Sequence, residues 1–389
     1  MKRRRIAIPP AARVLFVSAT IAMGLAACGS SPTPVAKAAT TASSATAPVT
    51  TIKLQSPISY TPHAPAGGTD DYHCTLLNPH VTSDSMIVYS DFYPNDGNSF
   101  EVHHAILFLV PPSLAKEAEA DDGNNAGWTC FGESPLPGTS FAQVSNTPWL
   151  TAWAPGHGVD NAPKGTGVPF PAGSLVIMQV HYNLLEGDNP ERPSLVLHTV
   201  PASEHLTPLR LDLLPAAPDI PCPAGITGPL CDRAASLADV GQRFGQSAIQ
   251  FDNFLQQFCS GSTAAPVGGD TASCTWPAPT GTIVRLTAHM HLLGAGMKFV
   301  LDPGSPNQKT LLNITNYNFD YQRSYDITPI TTKAGDTIQV TCTYNPTLRQ
   351  QLPQLRKLPP RYVVWGDGSS DEMCLGLVNY VSTSNAPSI

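Results

Sequence analysis

The sequence predicts an all-β protein: two tandem antiparallel β-sandwich domains of jelly-roll type, with a helical insertion in the second. Three observations carry this. Short runs rich in Val, Ile, Leu, Tyr and Phe are separated by clusters of Pro, Gly and Asn, the pattern of many short strands joined by turns. Proline is abundant, at 39 residues, which suits loops and sheet edges and works against long helices. A single segment departs from the strand pattern and repeats at helical spacing.

The expected strands include Met86 to Phe92, Ala105 to Val110, Leu175 to Tyr182, Ile283 to Ala288, Thr337 to Tyr344 and Tyr362 to Trp365. Pro/Gly-rich turns between them favour sandwiches over a parallel sheet. In the exceptional segment, Leu237, Val240, Phe244, Ala248, Phe251, Phe254, Leu255 and Phe258 recur at helical spacing, and Gly241 and Gly245 interrupt it. It lies between Cys222/Cys231 and Cys259/Cys274, so it reads as a disulfide-clipped insertion spanning about 215–275. Its apolar stripe is read as core packing.

The chain opens Met1-Lys2-Arg3-Arg4-Arg5, passes through the apolar stretch Val14 to Ala22 and reaches Leu25-Ala26-Ala27-Cys28. A positive end, a short apolar core and small residues make residues 1–27 a secretory signal. Its ending resembles the lipobox of bacterial lipoproteins, which implies diacylation of Cys28 and a protein anchored to a membrane of the cell envelope, on its periplasmic or extracellular face. Residues 28–55 are dominated by Ser, Thr, Ala and Pro and read as a disordered tether. The remaining chain divides near Pro201 to Pro208 into domains 56–204 and 205–389.

The formal net charge is −7. The signal holds five basic residues (Lys2, Arg3, Arg4, Arg5, Arg13) and no acid, so the remainder is about five units more negative and nucleic acid is excluded as a partner. Of nine cysteines, lipidation of Cys28 leaves eight, an even number that favours disulfides in an exported protein.

Five of the eleven histidines sit in three strand-like contexts: Glu101-Val102-His103-His104-Ala105, Gln179-Val180-His181-Tyr182 and Thr287-Ala288-His289-Met290-His291. Neutral imidazole offers a metal a lone pair near physiological pH. On a strand, residues i and i+2 share a face, so His289 and His291 can grip one ion together. His103 and His104 are adjacent and would face oppositely. To share a metal they need a bulge, a strand end or different ring nitrogens. Met373, in Asp371-Glu372-Met373-Cys374, offers a soft thioether that suits Cu(I) and is unusual on zinc.

Taken in order, His-His, Gln-Val-His-Tyr, His-x-His and Asp-Glu-Met-Cys resemble the copper type II, ascorbate-dependent monooxygenases, the peptidylglycine and dopamine hydroxylases, over about Tyr72 to Tyr380. Ala152-Trp153-Ala154, the run Pro163 to Val168 and Cys342-Thr343-Tyr344-Asn345 support the likeness. The resemblance implies two copper ions per chain. His103, His104 and His181 would hold the electron-transferring ion in the first domain; His289, His291 and Met373 would hold the oxygen-binding one in the second. It further implies ascorbate or another one-electron donor, O2, C–H hydroxylation of a small substrate, a solvent-filled cleft between the two metals, and Gln179 ordering water near that cleft. Met373, His289, His291 and Gln179 are the implied catalytic residues.

A Cys342–Cys374 bridge beside Met373 is also implied. The other family cysteines, Cys74 and Cys274, lack their usual partners here. Cys130 is a candidate for Cys74 and an insertion cysteine for Cys274, but spacing does not set the connectivity.

The sequence departs from the peptide-hydroxylating relatives where they carry an arginine two residues before His-x-His, an asparagine two residues after the methionine and a tyrosine two beyond that. Here these are Thr287, Leu375 and Leu377. Without the cation a substrate carboxylate has no partner, so a neutral or apolar substrate is expected. Two other classes compete: an envelope protein that scavenges copper without turnover, and a zinc hydrolase. The latter lacks a His-Glu-x-x-His helix.

Overall fold

In the computed structural model, residues 48–382 are described apart from 66, 96–100, 124, 132–147, 186 and 263–265. The signal and Cys28 lie outside the described residues. Strands run through both halves of the chain. The first half holds β1 (Thr50–Gln55), β2 (Asp70–Leu77), β3 (Ser85–Tyr93), β4 (Val102–Val110), β5 (Trp128–Thr129), β6 (Trp149–Trp153), β7 (Asp160–Asn161), β8 (Thr166–Phe170), β9 (Leu175–Asn183) and β10 (Ser194–Pro201). The second holds β11 (Thr207–Pro215), β12 (Asp219–Ile220), β13 (Thr271–Pro277), β14 (Gly281–Met290), β15 (Gly294–Leu301), β16 (Lys309–Ile314), β17 (Ser324–Thr332), β18 (Thr337–Tyr344), β19 (Val363–Val364) and β20 (Cys374–Ser382). Each expected strand is present, and the fold is all-β.

In the first half, the sheet β5-β2-β9-β4-β6 packs on β1, β10, β3 and β8. Leu107, Met178, Leu195 and Leu197 fill the space between them. The second face of the five-stranded sheet is covered too, with Phe108 and Ile177 in a separate cluster, so β9 is buried at every position. A strand buried on both faces reads as a continuous apolar run, and Leu175 to Met178 does so, before Gln179 and His181 turn polar groups toward one face. In the second half, the sheet β13-β18-β15-β16 packs on β11, β20, β14 and β17 around Ile283, Leu286, Phe299, Val340 and Val378. A 3-10 turn at Ala202–Glu204 leads from β10 to β11, near the expected boundary. There β11 pairs in parallel with β8, joining strands of both halves into one nine-stranded sheet.

Two expectations are corrected. The tether was expected to run to Gln55, yet Thr50–Gln55 is β1, paired with β10 over its whole length. Ile52 and Leu54 alternate with polar residues, and Leu54 joins the core, which suffices for an edge strand. The single helical repeat proves to be two helices, which come after α1 (Ala115–Asp122) in the chain: α2 (Arg233–Phe244) and α3 (Gln246–Ser260). Asp232 caps α2 by accepting a hydrogen bond from Ala235 N–H at 2.8 Å. Gly245, at φ +92°, ends α2 in a conformation that glycine adopts readily. The apolar stripe does pack inward: Leu237, Val240 and Phe244 meet Val364, while Phe251 and Leu255 meet Trp365 and Met373. Phe254 and Phe258 stay largely exposed.

All eight candidate cysteines are paired: Cys74–Cys130, Cys222–Cys231, Cys259–Cys274 and Cys342–Cys374. The last joins β18 in one sheet to β20 in the other, immediately after Met373. Replacing both of its cysteines with alanine is expected to lower stability by about 2–5 kcal/mol, the usual size for a native bridge. Denaturant unfolding reads this out, and a loss below about 1 kcal/mol would show that packing alone holds the two sheets.

Candidate metal centre

The first ligand set depends on a register defect. Across β4 and β9, Val102 pairs with Tyr182 and His104 with His181, leaving His103 as the extra residue of a bulge. Ala105 and Leu107 face the core, so His104 faces the other way, alongside His181. The bulge turns His103 to that side as well. The three imidazoles are buried with candidate ligand atoms within 4.8 Å of one another. Nδ1 of His103 and Nδ1 of His181 lie 3.0 Å apart.

Neighbours orient these rings. His181 Nε2 meets Asp70 Oδ1 at 3.0 Å, the carboxylate–imidazole arrangement that fixes which nitrogen faces a metal. Tyr72 stacks on His181 at 4.1 Å and donates its hydroxyl to the Asp367 carbonyl at 2.8 Å. Asp70 also accepts from Ser369 N–H at 2.8 Å. Residues of β2 thus hold both a histidine of the first set and the loop that leads to Met373.

The second set forms where β14 ends. Arg285, Thr287 and His289 succeed one another at two-residue spacing along a cavity wall, while Ala288 and Met290 face the core. His291 lies just past the strand, its ring 5.3 Å from that of His289. Glu372 ties the set together. Its two oxygens accept backbone N–H groups from His291 (3.0 Å), Leu293 (2.6 Å) and Met373 (3.2 Å), so the thioether and the imidazole share one support. Burial pushes the Glu372 carboxyl up to about 8 against the pull of those three N–H groups. Asp371 is clamped by Arg243 of α2 and by Arg361. Burial alone would raise its carboxyl; the two guanidiniums override this and hold it well below the usual range.

Among the described residues, the solvent-filled cleft implied by the resemblance does not separate these sets. The His103 ring lies 5.8 Å from His289 and 5.9 Å from His291, and that of His104 lies 5.6 Å from His289. The connection between β16 and β17 closes the gap: Phe319 stacks on His103 at 4.2 Å, and Gln322 contacts both His289 and His103. Open space lies instead to one side, in a cavity of about 200 Å³ bordered by His104, His289, Met373, Leu375, Leu377 and Trp149. Gln179 lines it as well, with its amide N–H donated to the Cys130 carbonyl at 2.9 Å.

Every one of the five imidazoles is held neutral. Burial lowers His289 to about 4 and His291 to about 3, with neighbouring histidines adding to the effect, and it drives His103, His104 and His181 well below their ordinary range. In the unfolded chain these residues protonate near pH 6.5. The metal-free protein should therefore lose stability steadily as pH falls below about 6.5, because only the unfolded state takes up protons until the folded-state values are reached. The expected loss is on the order of several kcal/mol by pH 5. Thermal unfolding between pH 7 and 5 measures it, and a flat profile would mean that the rings are already charged or solvated.

The donor set fits metal ions. His104 Nδ1 and both ring nitrogens of His291 are buried with no hydrogen-bond partner, an expensive condition unless a cation takes the lone pairs. Three imidazoles on one side and two imidazoles with a thioether on the other are copper ligands by type. Asp70, Tyr72, Phe319, Gln322 and the support role of Glu372 were not foreseen from sequence, although Glu372 stands within a recognised motif.

An all-β scaffold places His104, His289 and Met373 on one cavity wall, with His103, His181 and His291 buried beside them, a donor chemistry of the redox-metal class. Residues 271–387 match the copper type II ascorbate-dependent monooxygenase C-terminal domain, so this part of the chain carries the domain of a copper- and ascorbate-dependent monooxygenase family. No curated protein matches the chain. Among solved structures, allantoicase aligns over 76% of this chain and 78% of its own at 9% identity and a TM-score of 0.18. A Paenibacillus xanthan lyase aligns over 87% and 25% at 11% identity and 0.17. The infectious bursal disease virus VP2 subviral particle aligns over 88% and 74% at 9% identity and 0.20. Likenesses at that level carry no argument.

Proposed function

We propose that the protein is a two-copper monooxygenase that hydroxylates a C–H bond of a small, neutral or apolar substrate. The supporting observation is the meeting of an imidazole-only set and an imidazole–thioether set beside one largely apolar cavity. The overall reaction balances as R–H plus O2 plus two electrons and two protons giving R–OH and water. The electrons come from an external one-electron donor such as ascorbate. In this reading His103, His104 and His181 hold one copper, and His289, His291 and Met373 the other. Copper so held would supply one-electron chemistry with O2.

The chain's own residues do the rest. Asp70 keeps His181 Nδ1 turned toward the first set, and Glu372 keeps Met373 beside His291. Leu375 and Leu377 offer the substrate an apolar wall next to Met373. Thr287 stands where the peptide-hydroxylating relatives keep an arginine. Its hydroxyl is engaged with Ser324 at 2.6 Å, which in turn meets His157 Nε2 at 3.0 Å. Gln179, on the cavity wall, is the residue proposed to order water there. The Leu25-Ala26-Ala27-Cys28 ending supports a lipid anchor on Cys28 at the cell envelope.

Purified mature protein reconstituted with copper is expected to hold two ions per chain and to consume O2 only when substrate and reductant are both present. Met373→Leu should weaken one site and leave the other, as elemental analysis after partial chelation would show. One copper or none in correctly folded protein would overturn the two-site reading. Two coppers without substrate-dependent O2 use across a broad panel would favour the scavenging alternative.

A further inference from the structure

Among the described residues, Gln322 is a side chain that hydrogen-bonds both ligand sets. Its Oε1 lies 2.8 Å from His289 Nδ1, and its Nε2 lies 3.2 Å from His103 Nε2. That same Nε2 donates to the Phe319 carbonyl oxygen at 3.0 Å. A carbonyl only accepts, so the amide is fixed with its NH2 end toward His103 and its oxygen toward His289.

This orientation assigns each neutral ring one tautomer. His289 donates from Nδ1 and keeps its lone pair on Nε2. His103 accepts at Nε2, so its proton sits on Nδ1, from which it donates to His181 Nδ1 at 3.0 Å. His181 donates from Nε2 to Asp70. Every proton from Gln322 to Asp70 is thereby placed.

The two rings are then unequally prepared for a metal. His289 presents a free Nε2. His103 faces His181 through Nδ1, which must give up its proton before an ion can sit between them, and the other seat for that proton, Nε2, is occupied by an N–H of Gln322. Turning the amide over would reverse the problem, because one amide accepts on one side only. We propose that Gln322 is a positioning residue that ranks the two sets: Cu(I) enters His289–His291–Met373 first, and enters His103–His104–His181 only when the amide releases His103. This rests on the two-copper reading, and the test separates the two.

The test is X-ray absorption of the full mature chain loaded with one and then two equivalents of Cu(I). Sulfur scattering reports the Met373 set, and Met373→Leu confirms the source of that signal. In the wild type, one equivalent should show about three quarters of the full Cu–S signal per copper, the share that a tenfold gap gives, and the second should bring it to half. The two affinities, from chelator competition, should differ by about tenfold, the net worth of one hydrogen bond. In Gln322→Leu the order should be lost, with the one-equivalent signal falling toward half. In Gln322→Glu, whose two oxygens both accept, His103 must carry its proton on Nε2, so the gap should narrow as well. Thermal unfolding verifies that each variant folds. Equal Cu–S signal per copper at one and two equivalents in the wild type overturns the ranking while leaving the copper reading intact. Persistence of the order in both variants removes Gln322 from it. Failure to bind copper at all overturns both.

Discussion

Replacing Asp371 with alanine is expected to lower stability by about 3–5 kcal/mol, the usual cost of removing one partner from a buried ion pair. Asp371 is 1% exposed and takes bonds of 2.7 and 2.8 Å from Arg243 and one of 2.7 Å from Arg361. Both arginines are buried, and without Asp371 they would share only Asp239. Two guanidiniums facing one carboxylate leave an uncompensated positive charge in the interior. The damage should also be directional, because Asp371 closes the turn that precedes Met373. Its N–H donates to the Gly368 carbonyl at 2.8 Å, and Gly366 and Gly368 lie so close that a Cβ on either would press on its carboxylate. On the proposed two-copper reading, copper held with Met373 should therefore be lost before copper held by the three imidazoles. Asp371→Asn, which keeps the shape without the charge, should fall between wild type and alanine. Denaturant unfolding with copper analysis on the same samples measures both effects. A loss under about 1 kcal/mol would show that the charge cluster is relieved by rearrangement or water.

A glycine-extended peptide should be a poorer substrate than a neutral aromatic compound, by on the order of a hundredfold to a thousandfold in kcat/KM. The physical basis is the desolvation of an unpaired carboxylate, which costs several kcal/mol where about 1.4 kcal/mol is a factor of ten. The cavity wall does contain cations: Arg210, which interacts electrostatically with Asp212, and Arg285, on the same strand as Thr287 and His289. Arg285 is already committed, with bonds of 2.7 Å to Asp160, 2.6 Å to Asp326 and 2.7 Å to the Asn161 carbonyl. Two carboxylates around one guanidinium make that corner net negative, so it repels an anion rather than welcoming it. Leu375 and Leu377 add apolar surface beside Met373. Oxygen uptake with a chemical reductant compares the two substrate types. If the peptide proves the better one, Arg285 or Arg210 exchanges a partner for the substrate carboxylate.

The pattern of alternating and continuous apolar runs was enough to determine the β class and to locate β3, β4, β9, β14 and β18. The candidate donors were equally legible, because His103, His104, His181, His289, His291 and Met373 stand in short motifs whose order along the chain carries the family likeness. These are properties of neighbouring residues, and local preferences express them directly.

Tertiary structure decided how the two sets meet. His103 reaches His181 only through a bulge, a register event that depends on the partner strand. Gln322 and His103 are 219 residues apart, and Arg243 and Asp371 are 128 apart. Nothing periodic marks such loop residues, since a lone glutamine or aspartate acquires its role only from what is packed opposite it. The implied cleft is replaced by imidazoles in ring contact because Phe319 and Gln322, from the connection between β16 and β17, fill the space between the sets. Composition and spacing could name the donors; which nitrogens they turn to one another, and with what between them, depends on burial and hydrogen bonding that exist only in the closed fold.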